Sequence, residues 1–172
     1  NAKEDFPIPI FLNIDHGKDV DQVLSAVDQP GFDMVHFDGS DLELSENLEK
    51  VKKIVSAAHS KGILVEGEID RFVGSSEVHE EELDAAAVKS SFSDPKEVSK
   101  FCDESKVDIF APSFGNAHGT FSSEEKLDFS LLVNIREIVP NTFLTLHGAS
   151  GIASDQVKEA IKVGRIVKVN VN

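Results

Sequence analysis

Short apolar segments alternate with amphipathic segments along most of the 172 residues, and this pattern restricts the possible folds more than any other feature. Between residues 45 and 62, for example, Leu48, Val51 and Val55 recur at the spacing of one helix face. Such alternation is typical of a parallel sheet with helices packed outside it, so we expect one α/β domain over residues 1–172. The predicted strands span 7–15, 32–40, 63–70, 107–113, 142–148 and 166–170, and the predicted helices span 19–29, 45–62, 94–105, 128–139 and 154–164.

Charge and cysteine content argue against several classes of partner. The net charge of -14 disfavours nucleic acids and anionic membranes, because no basic patch is present to replace their counterions. No apolar run approaches the ~20 residues of a membrane span, and no signal-peptide pattern is present. The single Cys102 allows no internal disulfide, which favours a reducing compartment, so we predict a cytoplasmic protein. Residues expected in the apolar core include Cys102, Phe11, Phe37, Phe110 and Phe114.

Polar residues cluster where the predicted strands end. The carboxyl ends of the strands in a (β/α)8 barrel meet on one face, and that face holds the active site. Three histidines at three strand ends can therefore converge, and three imidazoles with one open position form a catalytic zinc geometry. Glycines beside all three of them allow the backbone to approach a ligand closely. The cluster consists of Asp15, His16, Asp38, Glu66, Glu68, His118, His147 and Asn170.

Six motifs at these strand ends resemble those of one enzyme family. Their order and approximate spacing are similar to the class II, zinc-dependent ketose-bisphosphate aldolases, which include fructose-bisphosphate and tagatose-bisphosphate aldolases. The resemblance covers nearly the whole chain and implies a TIM-barrel fold of the (β/α)8 type, with this chain covering approximately strands 3 to 8. The motifs are IDHG, FDGS, VEGEI, SFGNAHG, LHGASGI and KVNVN.

The resemblance also implies the metal ligands. His16, His118 and His147 would bind Zn²⁺, while Asp38 and Glu68 match carboxylates that hold a second or displaced metal position. The metal would polarise the ketone and stabilise the enediolate that forms on cleavage.

The remaining implied roles concern the substrate, a ketose 1,6-bisphosphate that is cleaved to or formed from dihydroxyacetone phosphate and an aldehyde such as glyceraldehyde 3-phosphate. Asp15 would be the acid/base at the C4 hydroxyl, next to the C3–C4 bond that breaks. The family also implies a homo-oligomer, a dimer or tetramer. The positions that match a phosphate loop, which binds a monovalent cation as well, and a substrate-contacting strand are Gly119, Gly148, Ser150, Asn170 and, more weakly, Asn172.

Two features depart from the family pattern. The long polar loop over 72–92, expected to contain some helix of its own, places Ser76 where the family has a proton-transferring glutamate, and Glu77 follows it as the candidate catalytic residue. A complete barrel needs ~250 residues and eight strands, so two sheet edges are expected to be unpaired. Either the chain is part of a longer protein, or it closes its sheet in another way, such as self-association.

Two other functions remain as alternatives to the aldolase. The first is a non-catalytic fragment or paralogue that binds metal and phosphate, and the second is a different zinc lyase or hydrolase on this scaffold.

Several of these residues also have simpler interpretations. Asp15 could cap the following helix, Asp38 could belong only to a turn, and His36 is expected to pack against a helix or the core. Glu66 and Glu68 lie two residues apart, so both side chains point to the same side of their strand. A buried carboxylate without a partner is costly, which favours a metal or another cation near at least one of them.

Overall fold

Six parallel strands form the main sheet of the computed structural model, which describes residues 8–78, 80, 82–120 and 126–171. Their order is β1-β2-β3-β5-β7-β8, and a second sheet pairs β4 with β6, also in parallel. The predicted parallel α/β architecture is therefore confirmed. The strands are β1 (Asn13–Gly17), β2 (Met34–Asp38), β3 (Leu64–Glu68), β4 (Gly74–Val78), β5 (Ile109–Phe110), β6 (His118–Thr120), β7 (Phe143–Leu146) and β8 (Ile166–Val169).

Helices connect the strands of the main sheet and cover its outer face. Each of the five predicted helices is present, and Pro95 occupies the first turn of its helix as expected for a residue without an amide hydrogen. The predicted loop over 72–92 contains β4 and one short helix. The helices are α1 (Val20–Asp28), α2 (Leu44–His59), α3 (Ala85–Ser90), α4 (Pro95–Ser105), α5 (Phe129–Ile138) and α6 (Ser154–Gly164).

The outer face of the sheet packs against the helices to form an apolar core. Gly67 on β3 is required for this contact, because a Cβ there would lie 2.8 Å from the ring of Phe101 on α4. Because Gly67 points outward, the side chains on either side of it, Glu66 and Glu68, point to the opposite, interior face. The fully buried core residues include Val35, Phe37, Val51, Ile54, Val65, Phe101, Phe110, Leu132, Ile135 and Leu144.

The main sheet curls so that its two edge strands share one interior. Lys168 on β8 reaches across to Glu66 on β3, with 2.8 Å between Nζ and Oε2, and lies 3.5 Å from Asp15 on β1. Within the described residues, β1 pairs only with β2 and β8 only with β7, so these two strands are the edges of the sheet. This curvature is that of a barrel with part of its wall absent.

The start of the chain differs from prediction. Residue 7 of the predicted strand lies outside the described residues, and residues 8–12 precede β1, which begins at Asn13. Pro9 has no amide hydrogen for a ladder, and the Leu12 N–H donates to the Asp33 carboxylate instead. Phe11, expected in the core, is consequently 70% exposed.

One predicted loop residue lies on a strand. β6 carries His118, and it pairs with β4, in which Gly74 is opposite His118. Both Gly74 and Gly119 have positive φ angles, 88° and 100°, a backbone conformation that glycine adopts at little cost.

None of the described helices is long and apolar enough to cross a membrane.

Candidate functional site

Four histidines meet at the carboxyl ends of the strands. The ring centroid of His16 lies 4.9 Å from that of His118 and 4.8 Å from that of His147, and the latter two are 5.9 Å apart. The structure therefore brings together the three histidines that were predicted to bind metal. His36 joins them, with its ring 4.8 Å from His16 and 5.1 Å from His147.

Two of these imidazoles point ring nitrogens toward each other. His16 Nε2 and His147 Nδ1 are 3.1 Å apart, close to the ~3.3 Å that two nitrogens have when both bind one tetrahedral Zn²⁺. His16 adopts a φ of 50°, in the left-handed region that non-glycine residues rarely occupy and that recurs at functional sites. Its backbone N–H donates to His36 Nδ1 over 3.0 Å, which helps to hold this conformation.

The other nitrogen of His16 faces a carboxylate. Asp38 Oδ2 lies 3.0 Å from His16 Nδ1, and Asp38 Oδ1 accepts hydrogen bonds from the backbone N–H and the hydroxyl of Ser40. Although burial opposes ionisation, these bonds hold the pKa of Asp38 well below its usual range. Asp38 thus forms the expected turn and also contacts a predicted metal ligand.

A second carboxylate pairs with His147 in the same manner. Glu66 Oε1 lies 2.7 Å from His147 Nε2, and Glu66 Oε2 accepts a hydrogen bond from Lys168. Burial opposes the charge of Glu66, but His36, His147 and Lys168 together lower its pKa to about 2. Glu66 is therefore an ionised carboxylate inside the barrel.

Two polar atoms in this interior lack a well-aligned hydrogen bond. Glu68 Oε2 and His36 Nε2 are buried and face each other at 3.3 Å, and Glu68 Oε2 also lies 3.8 Å from His16 Nδ1. Unsatisfied buried groups of this kind are costly, so their position beside a cluster of ligand atoms fits a nearby cation.

Asp15 lies at the mouth of the cluster, with its side chain half exposed. Asn170 Nδ2 is 3.3 Å from both carboxylate oxygens of Asp15, and Lys168 Nζ is 3.5 Å from one of them. Although partial burial opposes ionisation, His36 and Lys168 hold the pKa of Asp15 well below its usual range. Asp15 does not cap α1, since Asp19 performs that role.

A cavity of about 80 Å³ opens between these groups. Gly148 shapes one wall: its φ is 66°, and a Cβ there would lie 1.8 Å from the Ala117 carbonyl oxygen, so only glycine fits. The predicted phosphate-loop positions lie in this wall beside the histidines. The cavity is lined by Asp15, His16, His118, Gly119, His147, Gly148, Ser150, Asn170 and Val171.

An adjacent cavity of about 600 Å³ shares two of the histidines and carries two cations at its rim. Both Lys18 and Arg71 contact the Asp41 carboxylate. The lining residues are His16, Lys18, Asp38, Ser40, Asp41, Glu68, Arg71, Phe72, Gly74 and His118. A larger groove of about 740 Å³ between α3 and the start of α5 holds none of the predicted site residues.

Some predicted residues lie away from the cluster or outside the described structure. Glu77 is exposed on β4 and lines neither of the two cavities beside the histidines. Asn172 lies outside the described residues, and so does the side chain of Ser76.

Sequence reasoning missed three residues of the site. His36 was expected to pack against a helix or the core but lies in the interior, because its neighbours Val35 and Phe37 occupy the outer face. Lys168 shares its side of β8 with Asn170, so the same alternation would have indicated it. Phe72 stacks on His118 with 5.0 Å between ring centroids, and no pattern in the sequence indicates this contact.

The donor set fits a divalent metal. Burial and the neighbouring histidines lower the pKa of His118 to about 4, so its imidazole is neutral, as a metal ligand must be. The ligand atoms of Asp15, His16, His36 and His147 all lie within 4.8 Å of one another, a group that contains His36 and not His118. A second group, in which His16 is joined by Asp38 and Glu68, meets the same limit.

Known proteins resemble this chain over nearly its whole length. The family model described as fructose-bisphosphate aldolase class-II matches residues 1–172. The chain is 37% identical over 165 residues to a 6-phospho-5-dehydro-2-deoxy-D-gluconate aldolase of Shouchella clausii, covering 96% of this chain and 53% of that protein. It is 38% identical over 164 residues to a fructose-bisphosphate aldolase of Helicobacter pylori, covering 94% of this chain and 51% of that protein.

A solved structure supports the same relationship. The YdjI aldolase from Escherichia coli K12 matches with a TM-score of 0.80 and 28% sequence identity, over 99% of this chain and 56% of that chain. The curled six-stranded sheet is thus part of a TIM barrel, which confirms the predicted fold. The chain spans about half the length of the curated relatives that it matches.

Proposed function

The chain belongs to the class II fructose-bisphosphate aldolase family, and we propose that it carries the metal site and the acid/base of an enzyme that cleaves or forms a ketose 1,6-bisphosphate. The observation that supports this most strongly is the convergence of His16, His118 and His147 with the Asp15 carboxylate around one cavity. Three imidazoles that can bind a metal and an ionised carboxylate are the groups that such an aldol reaction needs.

We propose that the three histidines hold Zn²⁺ and that Asp38 and Glu68 provide a second or displaced metal position. When bound, the metal supplies a Lewis acid that stabilises the negative charge developing on the carbonyl oxygen of the substrate. The chain's own contribution is to orient the ligands: Asp38 binds the far nitrogen of His16, and Glu66 binds the far nitrogen of His147. Such outer partners fix both the ring orientation and the tautomer of a ligand histidine.

Asp15 acts on the substrate hydroxyl in this proposal. Its carboxylate is ionised, lines the cavity and accepts hydrogen bonds from Asn170, so it is ready to remove the C4 hydroxyl proton during cleavage. In the direction of synthesis the same group returns the proton. Asn170 both orients Asp15 and lies in the lining, where its amide can contact the substrate.

The phosphate of the dihydroxyacetone half would lie against Gly119, Gly148 and Ser150. These residues line the cavity, and two of them are glycines, which allow a ligand to approach the backbone closely. A monovalent cation bound by the same loop would offset the charge of the phosphate in a chain whose net charge is -14. The adjacent cavity of about 600 Å³ offers room for the aldehyde half.

A second candidate function is binding of metal and phosphate without turnover. It is favoured by Glu77, the candidate for the loop acid/base, which is exposed and lines neither cavity.

Metal analysis of the purified chain tests the proposal. We expect about one zinc per chain, and we expect its loss in His118→Ala but not in His59→Ala, because His59 lies outside the barrel and pairs with Asp108. Fructose 1,6-bisphosphate cleavage is then measured on the metal-loaded chain. Zinc binding with cleavage supports the aldolase, zinc binding without cleavage supports the second candidate, and a folded chain that binds no supplied zinc contradicts both.

A further inference from the structure

The side chain of Lys168 crosses the interior of the barrel, and the proposed reaction does not by itself require a lysine there. It extends from β8, and its Nζ lies 2.8 Å from Glu66 Oε2 on β3 and 3.5 Å from Asp15 Oδ1 on β1. Its side chain is only 21% exposed, and that of Glu66 is fully buried. A buried ion pair is costly to assemble, so a pair that spans the site invites a functional explanation.

The second oxygen of Glu66 connects this pair to His147. Glu66 Oε1 lies 2.7 Å from His147 Nε2, and both side chains are fully buried. An ionised carboxylate can only accept hydrogen bonds, so a neutral His147 must carry its proton on Nε2. Its Nδ1 is then left with a free lone pair, directed at His16 Nε2 over 3.1 Å.

The contact of Nδ1 with His16 Nε2 would by itself favour a proton on Nδ1, but the shorter, charge-assisted bond of Nε2 to Glu66 is the stronger of the two. The contacts of His147 with Asn170 and Phe72 select neither nitrogen. Asn170 Nδ2 lies 3.3 Å from both ring nitrogens, so it contacts the face of the ring without preferring either one. The ring of Phe72 stacks nearly parallel to His147, with an angle of 6° and 5.7 Å between centroids, and carries no hydrogen-bonding group.

We propose that Lys168 and Glu66 are a positioning pair, in which Lys168 orients the Glu66 carboxylate so that His147 is held as the Nε2–H tautomer with Nδ1 free. The link to metal binding rests on the proposed function, whereas the tautomer is a property of the metal-free chain. Because an ammonium group can only donate, it requires an acceptor oxygen at Glu66 Oε2. The other oxygen is thereby directed at His147.

The hydrogen-bonding requirements of Lys168 and His147 predict a specific change of tautomer in Glu66→Gln. The amide has one acceptor and one donor end, and Lys168 must bind the acceptor end. The amide NH₂ then faces His147 Nε2, which has to accept, so the proton moves to Nδ1. The double variant Glu66→Gln with Lys168→Met removes that constraint, allows the amide to turn, and restores the Nε2–H tautomer.

Long-range ¹⁵N–¹H NMR of the metal-free, histidine-labelled chain measures the tautomer directly in mildly alkaline buffer. We expect Nε2–H for His147 in the wild type, Nδ1–H in Glu66→Gln, and a return to Nε2–H in the double variant. His59, which pairs with Asp108, provides the internal reference signal. Lys53→Met is the charge-matched control, because Lys53 forms an exposed pair with Glu49, and this variant should not alter the signals of His147.

Two results would overturn the inference: Nδ1–H in the wild type, or an unchanged tautomer in Glu66→Gln. If circular dichroism shows that Glu66→Gln does not fold, the wild-type spectrum still tests the predicted tautomer of His147. Lys168→Arg, which keeps a donor-only cation, must then retain the Nε2–H tautomer. Zinc titration completes the test, with a ~10–100-fold loss of affinity expected in Glu66→Gln and no change in Lys53→Met. A wild type that binds no zinc but shows the predicted tautomer contradicts the proposed function and leaves the positioning pair supported.

Discussion

The two faces of the same strands carry opposite chemistry. On β2, Val35 and Phe37 point outward and are fully buried against the helices, whereas His36 and Asp38 point into the barrel. The outer face gains free energy from burial, at about 25 cal/mol per Å² of apolar surface.

On the interior face, by contrast, the burial of charged groups costs free energy. On β3, Glu66 and Glu68 point inward on either side of Gly67, and both are almost completely buried. Each interior carboxylate with a strongly lowered pKa has a cationic or hydrogen-bonding partner, as Glu66 has in Lys168. The contrast shows that one strand can supply the stability of the fold through one set of alternate residues and its chemistry through the other.

Truncation on the outer face should have the largest effect. Phe101→Ala removes a fully buried ring that packs on Gly67, and we expect a loss of ~3–5 kcal/mol in the free energy of unfolding. Zinc affinity of the folded fraction should not change, because Phe101 does not reach the interior. Urea unfolding of the metal-free chain measures the loss, and a loss below ~1 kcal/mol would show that the outer face is not the main source of stability.

Burial on helix α4 should also protect the Cys102 thiol from chemical modification. Burial raises the pKa of the Cys102 thiol from 9.0 to about 12, so at pH 8 the thiolate population is ~10³-fold smaller than in the unfolded chain. We expect the reaction with a thiol reagent to be slower by at least this factor until urea unfolds the chain. Rapid modification of the folded chain would place Cys102 at the surface.

Removal of an interior ligand should affect binding rather than folding. We expect His16→Ala to weaken zinc binding at least ~100-fold, equivalent to ~2.7 kcal/mol, because it removes one of three ligands together with its link to Asp38. The unfolding free energy of the metal-free chain should change by less than ~1 kcal/mol. Isothermal titration and urea unfolding of the same sample separate the two effects, and a large loss of stability with unchanged affinity would reverse our assignment of the interior face.

The smallest effect concerns the backbone at the same position. His16 has a φ of 50°, which glycine adopts readily and alanine does not. We therefore expect metal-free His16→Gly to be ~1 kcal/mol more stable than His16→Ala, although both lose zinc. Equal stabilities would mean that the strain at His16 relaxes when its side chain is removed.

Much of the architecture was predictable because it depends on local periodicity. All six main-sheet strands and the five predicted helices are present, and the strand-end histidines lie together as expected. The start of β1 was predicted wrongly because it depends on competition for one hydrogen bond: the Asp33 carboxylate accepts from the Leu12 N–H, and the strand is shorter than expected.

Pairing between distant segments was not predictable. β4 and β6 are separated by about forty residues, and neither has a periodic pattern, so His118 was placed in a loop. The contact of Phe72 with His118 follows from that pairing, since His118 lies on β6 and Phe72 lies just before β4.

The sequence by itself determined the alternation of strands and helices, and therefore which ends of which strands carry Asp15, His16, His118 and His147. Only the tertiary structure decided which side chains share the barrel interior. The reason is physical: two-residue alternation assigns a side chain to one of two faces, but the curl of the sheet determines that one face becomes an enclosed interior. Lys168 can reach Glu66 only because this curl brings β8 across from β3.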